Sequence, residues 1–313
     1  EHVHQLEDVT FVVTDLMDST AMAQSNFKAY REVQLAHDSV MRSSLKKFPG
    51  YEISTQGDSF ELVFAETHIA VLFCLEVQET LLNIKWSKEV LALPSCEREE
   101  DPTSCLRRFA GPRVRMGLHV ANSSTFSRKM HVLTRTTVYS GPGFELAQKI
   151  SDAAHGGQIL VSERSLRLFS AREAQHPVLE SSGVYKIGKG DAAQTLELFS
   201  LHAGLTRATP TRFFHEPLRG VELTGFGCGL NIASLEEKPS SIVSIAVQGM
   251  EILERNPGDH YQLDRAIVTT AAMFDGKIAT VAHSSLAASE HDEPRAVAIF
   301  TSNTQAVKFG AML

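Results

Sequence analysis

The order of apolar runs predicts an α+β fold of the ferredoxin-like, split βαβ kind, followed by a second, partial and degenerate copy of the same unit. Three observations lead there. Strand-like and helix-like periods alternate as β-α-β-β-α-β before residue 201. Two early strands each deliver a carboxylate to a turn, Asp15 after Val9-Thr-Phe-Val-Val-Thr and Asp58 after Gly50-Tyr-Glu-Ile-Ser-Thr-Gln-Gly. The opening pattern then recurs beyond residue 240 with those carboxylates missing.

Taken in order, Val9–Asp15 reads as a buried strand. Phe27, Tyr30, Val33, Met41, Leu45 and Phe48 recur at helical spacing, and Pro49-Gly50 stops that helix. Strands over Tyr51–Thr55 and Ser59–Phe64 flank a turn at Gln56-Gly57-Asp58. Ile69, Leu72, Phe73, Val77, Leu81 and Ile84 trace a second amphipathic helix, and Pro94–Pro112 reads as a charged loop. Arg113–Val120 is a strand, Gly141–Ala154 a helix, Gln158–Ser162 a strand and Ser162–Phe169 a short helix. Strands Val184–Ile187 and Thr195–Ser200 close the unit near Leu201.

Residues Leu201–Pro239, rich in Gly, Pro and Thr, read as a linker. Beyond it, Ile242–Gln248 echoes the first strand with Gln248 in the place of Asp15. Tyr261–Met273 echoes the first helix, and Asp275–Ser284 echoes the hairpin with Ser284 in the place of Asp58. Arg295–Phe300 and Thr304–Phe309 echo Phe60–Phe64 and His68–Phe73, so the second copy covers about half of the unit.

The chain has 313 residues, 43% of them apolar, enough for one large domain or two ordinary ones. A net charge of −7 argues against nucleic-acid binding through bulk charge. Cys74 reads as a core residue, and Cys96 and Cys105 lack metal or redox spacing, which fits a reducing intracellular compartment. No run of eighteen apolar residues and no signal peptide is present. The start at Glu1 rather than Met leads us to expect a piece of a larger protein or assembly.

Two strand-end carboxylates can meet on neighbouring strands, and such a pair suits a hard divalent cation whose other ligands are water and phosphate oxygen. Helix capping is the plain alternative for this region, with Asp18, Ser19 and Thr20 as candidates. Gly225-Phe-Gly-Cys-Gly229 lacks the strand–turn–helix setting of a nucleotide loop, and Gly188-Lys-Gly-Asp191 reads as a hairpin turn. His119 and His155 have no partner at ligand spacing. Arg113 and Arg115 alternate with Val114 and Met116 as on a half-exposed strand and need no ligand.

Six motifs in register resemble class III nucleotidyl cyclase catalytic domains, particularly those of fungal, protist and kinetoplastid adenylate cyclases. They are Phe11–Thr20, Gly50–Phe60, Trp86 with Val90–Pro94, Val114–His119, Tyr139–Pro142 and Ala154–Ser162, within residues 7–201. The resemblance implies an active site between two homologous domains. It places the metal set on Asp15, Leu16 and Asp58, for Mg²⁺ or Mn²⁺, with ATP or GTP as substrate. It also implies four groups from the partner face, and all four are changed here. Ser54 and Val138 stand where a Lys and an Asp read the base, and Glu145 and Lys149 stand where an Asn and an Arg stabilise the transition state. Ser54 cannot act as an ammonium, and Val138 offers no hydrogen bond. Glu145 repels polyphosphate, and Lys149 lacks the planar fork that fits phosphate oxygens. Each lost donor costs about a hundredfold or more in rate.

Two functions follow as expectations. One is the metal-bearing half of a cyclase pair, weak or inactive alone, completed by a second cyclase-like domain in cis or by another chain. The other is a pseudo-cyclase, a structural or nucleotide-sensing module. Thr280, at the second copy's Lys position, offers no substitute.

Overall fold

The computed structural model describes residues 2–100, 107–132, 135–167, 178–188, 190, 193–203, 212, 214, 218–225, 241–245, 277–281 and 296–300. A 3-10 turn at His2–Gln5 leads into β1 (Asp8–Leu16), α1 (Ser19–Ser25), α2 (Phe27–Lys47), β2 (Tyr51–Gln56), β3 (Ser59–Phe64) and α3 (Thr67–Asn83). Then come α4 (Lys88–Leu91), β4 (Glu99–Glu100), β5 (Arg107–Phe109), β6 (Val114–Asn122), β7 (Ser127–Met130) and β8 (Thr137–Ser140). They are followed by α5 (Pro142–Ala153), β9 (Ile159–Ser162), α6 (Glu163–Arg167), β10 (Val178–Ile187) and β11 (Gln194–His202). The remaining elements are β12 (Glu222–Gly225), β13 (Ser241–Ile245), β14 (Lys277–Val281) and β15 (Ala296–Phe300).

These elements fall into two compact units. One comprises Glu1–Glu180, Ile187–Phe213 and Leu218–Val221, the other Ser181–Lys186, Phe214–Pro217 and Glu222–Leu313.

In the first unit the strands lie side by side as β11-β9-β6-β1-β3-β2. The four strands β6-β1-β3-β2 are antiparallel throughout, the expected ferredoxin-like arrangement. β9 joins β6 in parallel, and β11 joins β9 antiparallel.

The apolar run of β1 is continuous because both of its faces are covered. Val12 and Leu16 enter one core with Val33 and Met41 of α2 and Phe73 and Val77 of α3. Val9, Phe11 and Val13 enter a second core with Phe126, Tyr139 and Phe144. Phe11 packs edge-on against all three of Phe126, Tyr139 and Phe144, or nearly so, with centroid separations of 5.5, 5.4 and 5.1 Å. Burying one such ring contributes about 1.5–3 kcal/mol, with some increment from the aromatic pairs.

The expected long helix is preceded by a separate short one. Asn26, extended at φ −153°, accepts from the Ala29 N–H at 3.2 Å and so caps α2, which breaks it from α1. Asp18 is the residue before α1, in the left-handed region at φ 56°, and its side chain makes no capping bond. It accepts instead from the Ser95 hydroxyl at 2.5 Å. Ser19 and Thr20 lie inside α1. The charged loop contains the short β4–β5 ladder, and the hairpin β7–β8 has no counterpart in the sequence reading.

Gly117 of β6 sets the seat of α5. A Cβ there would lie 2.3 Å from the Ser151 nitrogen and 2.7 Å from the Ala147 carbonyl oxygen. Both are backbone atoms, so the helix rests directly on the strand.

Arg212, inside the segment read as a linker, packs within the first unit. Its guanidinium donates to Gln78 Oε1 at 2.5 Å, to the Gly157 carbonyl at 2.9 Å and to the Arg108 carbonyl at 3.2 Å. It also stacks on Phe109 at 4.8 Å. Burial first, then the charge of Arg113, lowers its pKa to about 10.

In the second unit, Val184–Lys186 pair with β12, and β13, β15 and β14 form an antiparallel sheet in that order. The positions Gln248 and Ser284, the helix over Tyr261–Met273 and the segment Thr304–Phe309 lie outside the described residues, as do Cys105, Cys228 and most of 204–240.

Gly117→Ala should destabilise the first unit by about 1–3 kcal/mol, because the added methyl must push α5 off β6. Chemical denaturation of the whole chain, followed by far-UV circular dichroism, checks this. A loss below about 0.5 kcal/mol would contradict the close seat.

Candidate functional site

The register of the central sheet brings the two carboxylates to one edge. Thr14 pairs with Phe60 across β1 and β3, so the turn holding Asp58 lies beside the end of β1. Gly57 takes φ 66° in that turn, a conformation that suits glycine. Asp58 Oδ2 then accepts the backbone N–H of Leu16 at 3.1 Å, next to Asp15. The Leu16 side chain is buried in the core, so that residue can offer this site only its backbone.

Asp15 already has a cationic neighbour. It sits opposite Arg115 in the β1–β6 register, and the guanidinium donates to Asp15 Oδ2 through Nε at 2.8 Å and also through Nη2. Burial lifts the Asp15 carboxyl above the ordinary carboxylate range. Arg115 opposes that lift, and Asp58 and Asp152 add to it. The negative field extends to α2, where the Tyr30 phenol is raised by burial and then by Asp58, Asp38 and Asp15.

The alternation of Arg113 and Arg115 with apolar residues predicts a half-exposed strand with no need of a ligand. Both are instead mostly buried and engaged. Arg115 holds Asp15, and Arg113 donates to Glu99 at 2.5 Å and lies 4.3 Å from the Phe109 ring centroid.

Among the described residues no three His, Cys, Asp or Glu side chains converge as a metal site. The set that the resemblance implies is the Asp15–Asp58 pair with the Leu16 backbone carbonyl. All are hard oxygen donors of the kind that Mg²⁺ or Mn²⁺ takes when water and phosphate supply the rest.

The four partner-face positions occupy neighbouring elements. Ser54 donates to Glu61 Oε2 at 2.5 Å, and Gln148 of α5 donates to Glu61 Oε1 at 2.7 Å. The Ser54 hydroxyl is thus tied to a carboxylate that is in turn tied to α5. Val138 lies on β8 and is 42% exposed. The strand that carries it is joined to β2 by the Thr137 N–H donating to the Tyr51 hydroxyl at 2.8 Å. Glu145 and Lys149 are exposed, one turn apart on α5.

Arg115, Glu61 and Gln148 were not singled out from the sequence. The signal for Arg115 was a basic residue opposite Asp15, visible only once the antiparallel register is known. Glu61 is a charged residue in an otherwise apolar strand, Ser-Phe-Glu-Leu-Val-Phe.

The relatives agree with this architecture. No protein-family model matches the chain. An adenylate cyclase of Neurospora crassa is 35% identical over 154 residues, 49% of this chain and 6% of that protein. A receptor-type adenylate cyclase B of Leishmania donovani is 31% identical over 173 residues, 50% of this chain and 13% of that protein. A Trypanosoma brucei adenylate cyclase solved in its monomeric state superposes with a TM-score of 0.58 at 23% identity, over 68% of this chain and 93% of that one. The chain thus carries a cyclase-homology domain, similar in fold to class III nucleotidyl cyclase catalytic domains and in sequence to adenylate cyclases. This chain spans only a small part of either curated relative.

Arg115→Ala should destabilise the cyclase-homology domain by about 2–4 kcal/mol near neutral pH, since it leaves a half-buried carboxylate without its cation. The loss should shrink as the pH is lowered, because protonation removes the uncompensated charge. Asp15→Asn in the same chain should restore most of the stability. Urea unfolding across a double-mutant cycle at two pH values checks all three, and full additivity of the two substitutions would contradict the ion pair.

Proposed function

We propose that the cyclase-homology domain is the metal-bearing half of a cyclase pair that forms cyclic AMP from ATP, weak or inactive alone. The observation that carries this reading is the Asp58 carboxylate docked on the Leu16 N–H beside Asp15. It holds two hard donors at one strand end without helix capping as their occupation. When bound there, Mg²⁺ or Mn²⁺ would activate a ribose hydroxyl and neutralise triphosphate charge. The chain's own residues do the rest. Asp15 and Asp58 would hold the ion, and Arg115 supplies the positive charge that keeps the Asp15 carboxylate in place.

Base recognition and transition-state contacts then have to come from a second cyclase-like half. Ser54 is spent on Glu61, Val138 is apolar, and Glu145 puts a carboxylate where polyphosphate would lie. We propose that the second unit is a degenerate copy of the same fold. Its strand order β13-β15-β14 repeats β1-β3-β2, antiparallel in both. A one-residue irregularity between Ile278 and Thr280 repeats that between Glu52 and Ser54. Thr280 then corresponds to Ser54. On that register Ala246, rather than Gln248, corresponds to Asp15, and neither is a carboxylate. With no carboxylate at the positions of Asp15 and Asp58 and no Lys at that of Ser54 in the copy, we propose that the completing half comes from another chain. The domain organisation that goes with this reading is 1–201, a linker over 202–239 and the copy over 240–313.

A second reading is favoured by the internal pairing itself. Arg115 on Asp15, and Ser54 and Gln148 on Glu61, satisfy both halves of the site with protein groups. A pseudo-cyclase serving as a structural or nucleotide-sensing module would show that arrangement.

The purified chain should bind Mn²⁺, seen by electron paramagnetic resonance, and lose that binding in Asp58→Ala. It should turn over ATP or GTP well below about one per second. Replacing Ser54, Val138, Glu145 and Lys149 together by Lys, Asp, Asn and Arg should raise turnover. Absence of Mn²⁺ binding would favour the pseudo-cyclase, and turnover of one per second or more by the unaltered chain would overturn the proposal.

A further inference from the structure

The first unit has an open cleft of about 590 Å³ at the opposite end of β1 from Asp15, lined by residues that include Asp8, His119, Pro142, Leu146, Arg164 and Leu196. Asp8 and Asp15 are separated along β1 by roughly 20 Å. The cleft is therefore distinct from the candidate metal site. Its volume is that of a small-molecule pocket.

His119 gives the cleft a fixed donor. It is 7% exposed, and its Nδ1 lies 2.8 Å from Ser162 Oγ. Ser162 Oγ lies 2.9 Å from Ser165 Oγ, which accepts the Val120 N–H at 3.0 Å. Ser165 is wholly buried, so its hydroxyl proton needs an acceptor, and Ser162 is the one in reach. The Ser162 proton then goes to Nδ1. This chain of bonds assigns the imidazole proton to Nε2 of a ring that lines the cleft. Burial and the charge of Arg164 lower the His119 pKa to about 4, so the ring is neutral at pH 7.

Two more features polarise the cleft. The N-terminal turn of α5, at Pro142 and Gly143, borders it with the positive end of a twelve-residue helix dipole, while Pro142 has no N–H and the Gly143 N–H donates to the Thr125 carbonyl at 2.8 Å. At the mouth, Arg164 and Asp8 stand 3.8 Å apart and half exposed, a long and weak pair. Asp8 also accepts from Asn122 Nδ2 at 3.1 Å, which orients its carboxylate. Pro142, Leu146 and Leu196 supply apolar wall.

A plain anion would meet Asp8, and a plain cation would meet Arg164 and the helix end. An α-amino acid carries both charges side by side and matches both. We propose that this cleft binds a free α-amino acid: its carboxylate on Arg164 and the His119 Nε2–H, within the field of the α5 dipole, its ammonium on Asp8, and its side chain on Leu146 and Leu196. An occupant would bear on the first turn of α5, the helix that also carries Glu145, Gln148 and Lys149.

The test is isothermal titration of the whole chain with L-leucine and L-phenylalanine. The controls are 3-methylbutylamine and 4-methylpentanoate, which each keep one charge of leucine. At least one amino acid should bind saturably, with affinity at least about tenfold above both single-charge controls. Arg164→Gln and Asp8→Asn, both at exposed positions, should each weaken it about tenfold or more, with circular dichroism showing the fold intact. No saturable binding by either amino acid would overturn the proposal. So would equal binding of a single-charge control, or binding indifferent to both substitutions. Mn²⁺ binding at the other end of β1 is measured separately, so the two sites stand or fall independently.

Discussion

The structure depends first on β1 being paired along both edges. Every residue from Asp8 to Leu16 has a partner on β6, and Thr10 to Thr14 have partners on β3. A slip of one residue would exchange the two faces of the strand, moving Phe11 into the α2–α3 core and Val12 into the α5 core. Phe11 would then crowd the fully buried rings of Phe60, Phe64 and Phe73 in the first core, and Val12 would leave a void beside Phe126, Tyr139 and Phe144 in the second. The register is thus held by packing, and Asp15 is delivered to its position as a consequence of where Phe11 must go.

This explains which parts of the fold were legible in the sequence. The order of the first six elements was, because β1 is apolar on both faces while α2 and α3 carry apolar residues at helical spacing. The split between α1 and α2 was not, since it depends on the Asn26 side chain accepting from Ala29 while Asn26 itself is extended. Nor was the β7–β8 hairpin, whose strands Ser-Arg-Lys-Met and Thr-Val-Tyr-Ser bury little besides Tyr139. Of the candidate site, Asp15 and Asp58 could be paired from motif positions. Their competitors for attention, Arg115 and Glu61, could not, because an ion pair between residues a hundred apart is a property of register and rotamer.

The electrostatics of the site reflect the same economy. A carboxylate half removed from water needs a counter-charge whether or not an ion is bound. Arg115 provides it for Asp15, while a backbone N–H and two side-chain donors do comparable work for Asp58 and Glu61. A fold kept for catalysis and one kept for shape would both need such partners in the absence of ligand. Pairing alone therefore weighs less than the exchange of the four partner-face residues.

Arg212 bears on mechanics. Three hydrogen bonds tie its guanidinium to α3, to the turn before β9 and to the carbonyl of a β5 residue. Tension arriving from the chain beyond residue 212 would be met at that anchor, before it reached the hydrogen bonds of β11. The pairing of β11 with β9 is shielded from pulling, and the load passes instead into α3, whose Phe73 and Val77 pack in the same core as Leu16.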